Sequence, residues 1–91
     1  MLTKKQKQNI IDKFKTHKTD TGSPQVQIAI LTAEIKDLTK HLRTHKKDFS
    51  SRRGLIKKVV ERRRLLKYLE REDAKAYKTI IEALKIRVSK S

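Results

Sequence analysis

Apolar residues along the chain recur at spacings of three and four, and the breaks between these runs fall at residues that cap helices. Thr3 followed by Gln6 makes a capping-box pattern, and Ile10, Ile11 and Phe14 then line one side, which predicts a short helix from Thr3 to about Lys15. His17-Lys18-Thr19-Asp20-Thr21-Gly22-Ser23 has turn chemistry and no apolar period, so it reads as a loop. Ser23-Pro24 opens a second helix, because Ser accepts from an early amide and Pro at the first position loses no backbone bond. Ile28, Leu31, Ile35, Leu38 and Leu42 form its apolar stripe, about 80° wide, and the helix should end between Thr44 and Lys46.

Beyond a polar corner, Ser50 or Ser51 is expected to cap a third helix whose main stripe is Leu55, Val59, Leu66 and Leu69, widened by Ile56, Val60 and Leu65. Asp73 can cap a fourth helix carrying Tyr77, Ile80, Ile81, Leu84 and Val88. No useful stretch alternates apolar with polar, so strands are not expected. The fold class is all-α: a compact bundle of four helices, a short first one followed by three, with two long antiparallel helices at the core because their connection is short. Residues 1–91 are expected to make one helical domain, with the basic residues 87–91 frayed.

Composition narrows the function. The chain has 91 residues, 35% of them hydrophobic, which allows one small core. Its 25 Lys and Arg against 10 Asp and Glu give a formal charge of +15, enough to oppose compaction and to call for a polyanionic partner. No cysteine is present, which excludes disulfides and thiolate metal ligands. After Lys4, Lys5 and Lys7 the charges Asp12, Lys13 and Lys15 interrupt any signal-like apolar run, and no segment is apolar enough to span a bilayer. No membrane partner is expected.

The polar chemistry gathers along one edge. Gln27, Glu34 and His41 are seven residues apart and His45 follows His41 by four, so helical angles put them beside the apolar stripe, in a line that continues to Asp48 and Ser51. Such short donors and acceptors suit the wide, shallow minor groove of A-form RNA and its 2′-hydroxyls, with Lys46, Lys47, Arg52 and Arg53 holding adjacent phosphates. The bland alternative is a solvated helix border. His41, His45 and Asp48 as zinc ligands lack the Glu that a metalloprotease motif places after the first His, where Leu42 stands, and lack a fourth ligand. A general acid/base pair would need a cleft that a small helical bundle does not offer, and no phosphate-cradling loop or activated nucleophile occurs, so neither an enzyme, a cofactor, a metal nor a small-molecule substrate is expected.

Three further features carry alternatives. Lys57, Glu61, Arg64, Tyr68 and Arg71 share one face of the third helix, where Tyr68 either stacks on a base or joins the core. Gly54, in the first turn of that helix, costs about 1 kcal/mol against Ala and permits close approach of another backbone, either the neighbouring helix or nucleic acid. Asp20-Thr21-Gly22-Ser23 offers free amides at the positive end of the second helix, either for a phosphate or sugar or simply as a cap.

Asp20-Thr21-Gly22-Ser23 with Val26-Gln27, His41, His45-Lys46-Lys47-Asp48, Ser51-Arg52-Arg53-Gly54-Leu55 and Arg62-Arg63-Arg64-Leu65-Leu66-Lys67-Tyr68-Leu69 together resemble the family of small-subunit ribosomal protein fifteen, the universal uS15 family, in its bacterial form. The resemblance runs over nearly the whole chain. It implies a structural protein that binds 16S rRNA early in assembly at a central-domain three-way junction and a nearby G·U/G·C minor groove. By matching positions, Thr21, Gly22, Gln27, Arg64 and Tyr68 would meet the junction, and His41, His45, Asp48 and Ser51 the minor groove. It also implies a bridge to large-subunit rRNA, neighbouring small-subunit proteins, in some relatives control of the protein's own mRNA, and a place in the ribosome of a cytoplasm or an organelle. Two positions depart from the family pattern: Glu34 stands where some relatives carry Arg and is left out of the junction set, and Phe49-Ser50 stands where many carry two histidines.

Overall fold

The computed structural model describes residues 2–15 and 23–86. Four helices account for most of them: α1 (Lys4–Phe14), α2 (Pro24–Thr44), α3 (Phe49–Glu72) and α4 (Ala74–Leu84). The loop residues Thr21 and Gly22, and Val88 of the expected fourth helix, lie outside the described residues, as does the expected frayed end.

The caps follow local chemistry. Thr3 and Gln6 form the reciprocal capping box, Ser23 accepts from the Val26 amide with Pro24 behind it, and Asp73 accepts from the Ala76 amide. The third cap differs from expectation. Asp48, not Ser50 or Ser51, caps α3 by accepting from the Ser51 amide, so both serines lie inside the first helical turn. At the other end of the chain, Lys85 adopts a left-handed conformation with φ 53°, while the Ile86 amide bonds the Ile81 carbonyl and the Lys85 amide that of Glu82. This pattern closes α4 as a Schellman motif and turns Ile86 back into the core beside Ile81.

α2 and α3 form the central antiparallel pair. Moving from the corner along α2 through His41, Glu34 and Thr32, the partners move along α3 through Asp48, Lys58 and Arg62. α1 packs mainly on α2, with its Phe14 reaching the core, whereas α4 packs on both α3 and α2. The core therefore sits at one end of the pair: Ile28, Leu66, Leu69, Ile80 and Ile86, with Phe14, Leu65, Tyr77, Ile81 and Leu84 around them. Toward the corner the pair is less covered. There Leu38, Leu42, Leu55 and Val59 are only half-buried, and Ile56 and Val60, expected to widen the stripe, are exposed, Ile56 by 57%. The result is a flat body of 39 × 36 × 17 Å.

Candidate nucleic-acid interface

The corner is short because α2 stops at Thr44 and α3 starts at Phe49, with His45 to Asp48 making the turn. The Asp48 carboxylate organises it. One oxygen accepts from the Ser51 amide at 3.0 Å; the other accepts from the Ser51 hydroxyl at 2.6 Å and lies 2.8 Å from His41 Nε2. These bonds, those of Ser51 first and then that of His41, hold the Asp48 carboxyl well below its ordinary value, so it is an acceptor and His41 Nε2 is the donor.

His45 is set by stacking and by its own turn. Its ring lies 4.3 Å from that of His41, within 9° of parallel. Its Nδ1 is 3.2 Å from the His41 carbonyl and 2.9 Å from the Thr44 hydroxyl, which itself donates to that carbonyl. A carbonyl only accepts, so all three contacts are met together when Nδ1 carries the proton, leaving Nε2 of the neutral ring as an acceptor. The structure thus brings His41, His45, Asp48 and Ser51 together as one preorganised cluster.

Cations surround this cluster. Lys46, Lys47, Arg52 and Arg53 are exposed, and Arg52 is braced by donating to the Lys46 carbonyl at 3.0 Å. Phe49 is 62% exposed beneath the Arg52 guanidinium, 5.9 Å from the ring centroid. Among the described residues no group of three or more His, Cys, Asp or Glu could hold a metal ion.

Along one flank of the cluster runs an open groove of about 720 Å³ between α2 and α3, bordered by Lys40, His41, Ser51, Gly54 and Lys58. Gly54 does not serve helix packing: a Cβ built there meets no atom within 4 Å. Glu34, by contrast, is withdrawn from any surface line. It is 9% exposed and pairs with Lys58 at 3.3 Å across the two helices. The periodicity of Gln27, Glu34 and His41 marked their common edge correctly but carried no sign that α3 would cover its middle.

The second group of residues is more dispersed. Gln27 is half-buried in the second turn of α2, while Arg64 and Tyr68 are exposed one turn apart on α3. Tyr68 is 47% exposed, with the Arg71 guanidinium 5.7 Å from its ring centroid. Of the arginine triplet, Arg62 turns inward to the Thr32 hydroxyl at 3.3 Å, and burial pulls its guanidinium below the ordinary value; Arg63 and Arg64 face outward. From Ser51 to Arg64 and Tyr68 the rise along α3 is about 20–25 Å, so the two groups are separate surfaces on one rod.

A strongly basic chain, helical through most of its described residues and with an ordered polar corner ringed by cations, has the make-up of a structural ribosomal protein. Residues 7–87 match the family model described as ribosomal protein S15. The small ribosomal subunit protein uS15 of Carboxydothermus hydrogenoformans is 58% identical over 86 residues, covering 94% of this chain and 97% of that protein. Its counterpart in Caldanaerobacter subterraneus is 59% identical over 87 residues, covering 96% and 99%, and that of Staphylococcus carnosus 55% identical over 86 residues, covering 94% and 97%. The chain belongs to the ribosomal protein S15 family.

Proposed function

We propose that the chain is a structural constituent of the small ribosomal subunit that binds 16S rRNA as a single helical domain through two surfaces. The corner cluster of His41, His45, Asp48 and Ser51 reads a minor groove containing G·U and G·C pairs. Thr21, Gly22, Gln27, Arg64 and Tyr68 meet a three-way junction of the central domain. The observation that carries this is the Asp48 carboxylate, held by Ser51 and His41 so that a row of small polar groups is presented without rearrangement.

The chemistry fits a minor groove. The Ser51 oxygen and His45 Nε2 are acceptors that suit the exocyclic amine of guanine, which in that groove distinguishes G-containing pairs, and 2′-hydroxyls can give to or take from them. Lys46, Lys47, Arg52 and Arg53 hold the flanking phosphates without reading sequence. A rigid protein that touches two RNA surfaces about 20–25 Å apart binds best to the junction arrangement that presents both, and so favours that arrangement over others. This organises the junction for early subunit assembly.

A nuclease footprint of the chain on 16S central-domain fragments, with and without the junction, tests this. Protection at the junction and at one nearby minor groove is expected, and should disappear on a 2′-deoxy version of the groove strand. Equal affinity for duplex DNA would overturn it.

A further inference from the structure

Gly54 is a helix-interior glycine for which the fold gives no reason. It is the sixth residue of α3, where glycine weakens a helix relative to alanine. Its φ is not positive, so no left-handed turn requires it. A Cβ there would meet nothing within 4 Å, so the close approach that glycine allows is not used by α2 or by any other described part of the protein. The space left empty opens into the groove between α2 and α3, continuous with Ser51 one turn earlier and with His41 across the gap.

We infer that Gly54 is the point where the ribose-phosphate backbone of bound RNA comes nearest to the protein, with the groove beside it as the strand's seat. This rests on the RNA reading of the corner. The occupant is a polyanionic strand because the chain carries a net charge of +15, because the groove is lined by Lys40 and Lys58 against the one carboxylate of Asp37, and because it continues directly from the corner cluster. A sugar is small and slightly apolar on its C–H side, so it can lie against bare backbone where any side chain would hold it away. The cations fix the phosphates; the missing methyl sets how deeply the strand sits.

Gly54→Ala and Gly54→Leu test this, since both replacements favour helix. The melting temperature of each variant should hold or rise. Affinity for the central-domain junction RNA should fall about tenfold for Ala, equivalent to about 1.4 kcal/mol, and further for Leu. The dependence of binding on salt should not change, because no charge is removed. An Ala variant that binds within twofold of the parent overturns the inference while leaving the RNA reading intact. A lower melting temperature assigns Gly54 to the fold instead and overturns it too. Failure of the parent chain itself to bind the RNA overturns both.

Discussion

Glu34 of α2 and Lys58 of α3 meet at 3.3 Å in the middle of the helix pair, with the glutamate side chain 11% exposed. An isolated carboxylate at that depth would lose water without compensation. Lys58→Ala should therefore cost about 1–3 kcal/mol, the usual penalty for stranding a buried polar group. Lys58→Met with Glu34→Gln should recover part of the loss, read from urea midpoints. Glu34→Arg, the residue of some relatives, should destabilise as well by setting a second cation against Lys58. A neutral Lys58→Ala result would show the pair to be no more than a surface contact.

Acid should act on the corner through Asp48. Its carboxyl lies below the ordinary value of 3.8 in the folded chain, so the group favours folding at higher pH. That contribution drains away as pH falls through 3.8 toward the folded value. Asp48→Asn keeps a capping oxygen but removes the charge. Urea midpoints measured from pH 7 down to pH 3 should therefore fall more steeply for the parent than for the variant at the acid end; parallel curves would contradict it.

RNA binding should separate readers from phosphate holders. His41→Ala and Ser51→Ala should each weaken junction-RNA binding by about 1–3 kcal/mol with the salt slope unchanged. Lys46→Ala should lower the slope by about one ion and affect all RNAs alike. A large slope change at Ser51 would reassign the corner to phosphate contact.

Core substitutions should follow the position of α4. Ile28→Ala, at the covered end, should cost about 2–5 kcal/mol. Leu38→Ala, half-buried, should cost about half as much, and Ile56→Ala, exposed, should stay within about 0.5 kcal/mol. Thermal denaturation of the three variants orders them, and an Ile56 effect as large as that of Ile28 would place the core wrongly.

Lys85 occupies a conformation that costs a residue with a Cβ about 1 kcal/mol. Lys85→Gly should raise stability by up to that amount, seen as a higher melting temperature. A loss would mean that the lysine side chain contributes more than its backbone strain removes.

Helix number, order and three of the four caps were legible because a second residue marks them: Gln6 completes the box of Thr3, Pro24 follows Ser23, and Asp73 falls at the break between two apolar runs. At the corner three cap-competent residues, Asp48, Ser50 and Ser51, crowd within four positions, and spacing does not rank them. Asp48 wins because from there it can serve Ser51 and His41 at once. Burial was less legible. Periodicity finds the inward side of a helix but not how far along it a third helix reaches, so Ile56 and Val60 fall on the uncovered stretch and Glu34 falls beneath α3. The corner residues came from helical angles and family resemblance together; the groove beside Gly54 needed coordinates, since empty space leaves no mark on a sequence.

A body only 17 Å thick has little interior to spend on holding itself together. Its thinness makes it a washer, with two broad faces and almost no depth between them. In that shape, folding and binding draw on one reservoir: at a free RNA concentration 100 times the dissociation constant, the bound chain gains about 2.7 kcal/mol against unfolding. For a small, highly charged protein that increment is a large part of the total. Bound to RNA, such a washer is harder to unfold than it is alone, and part of its durability becomes a property of the assembled particle.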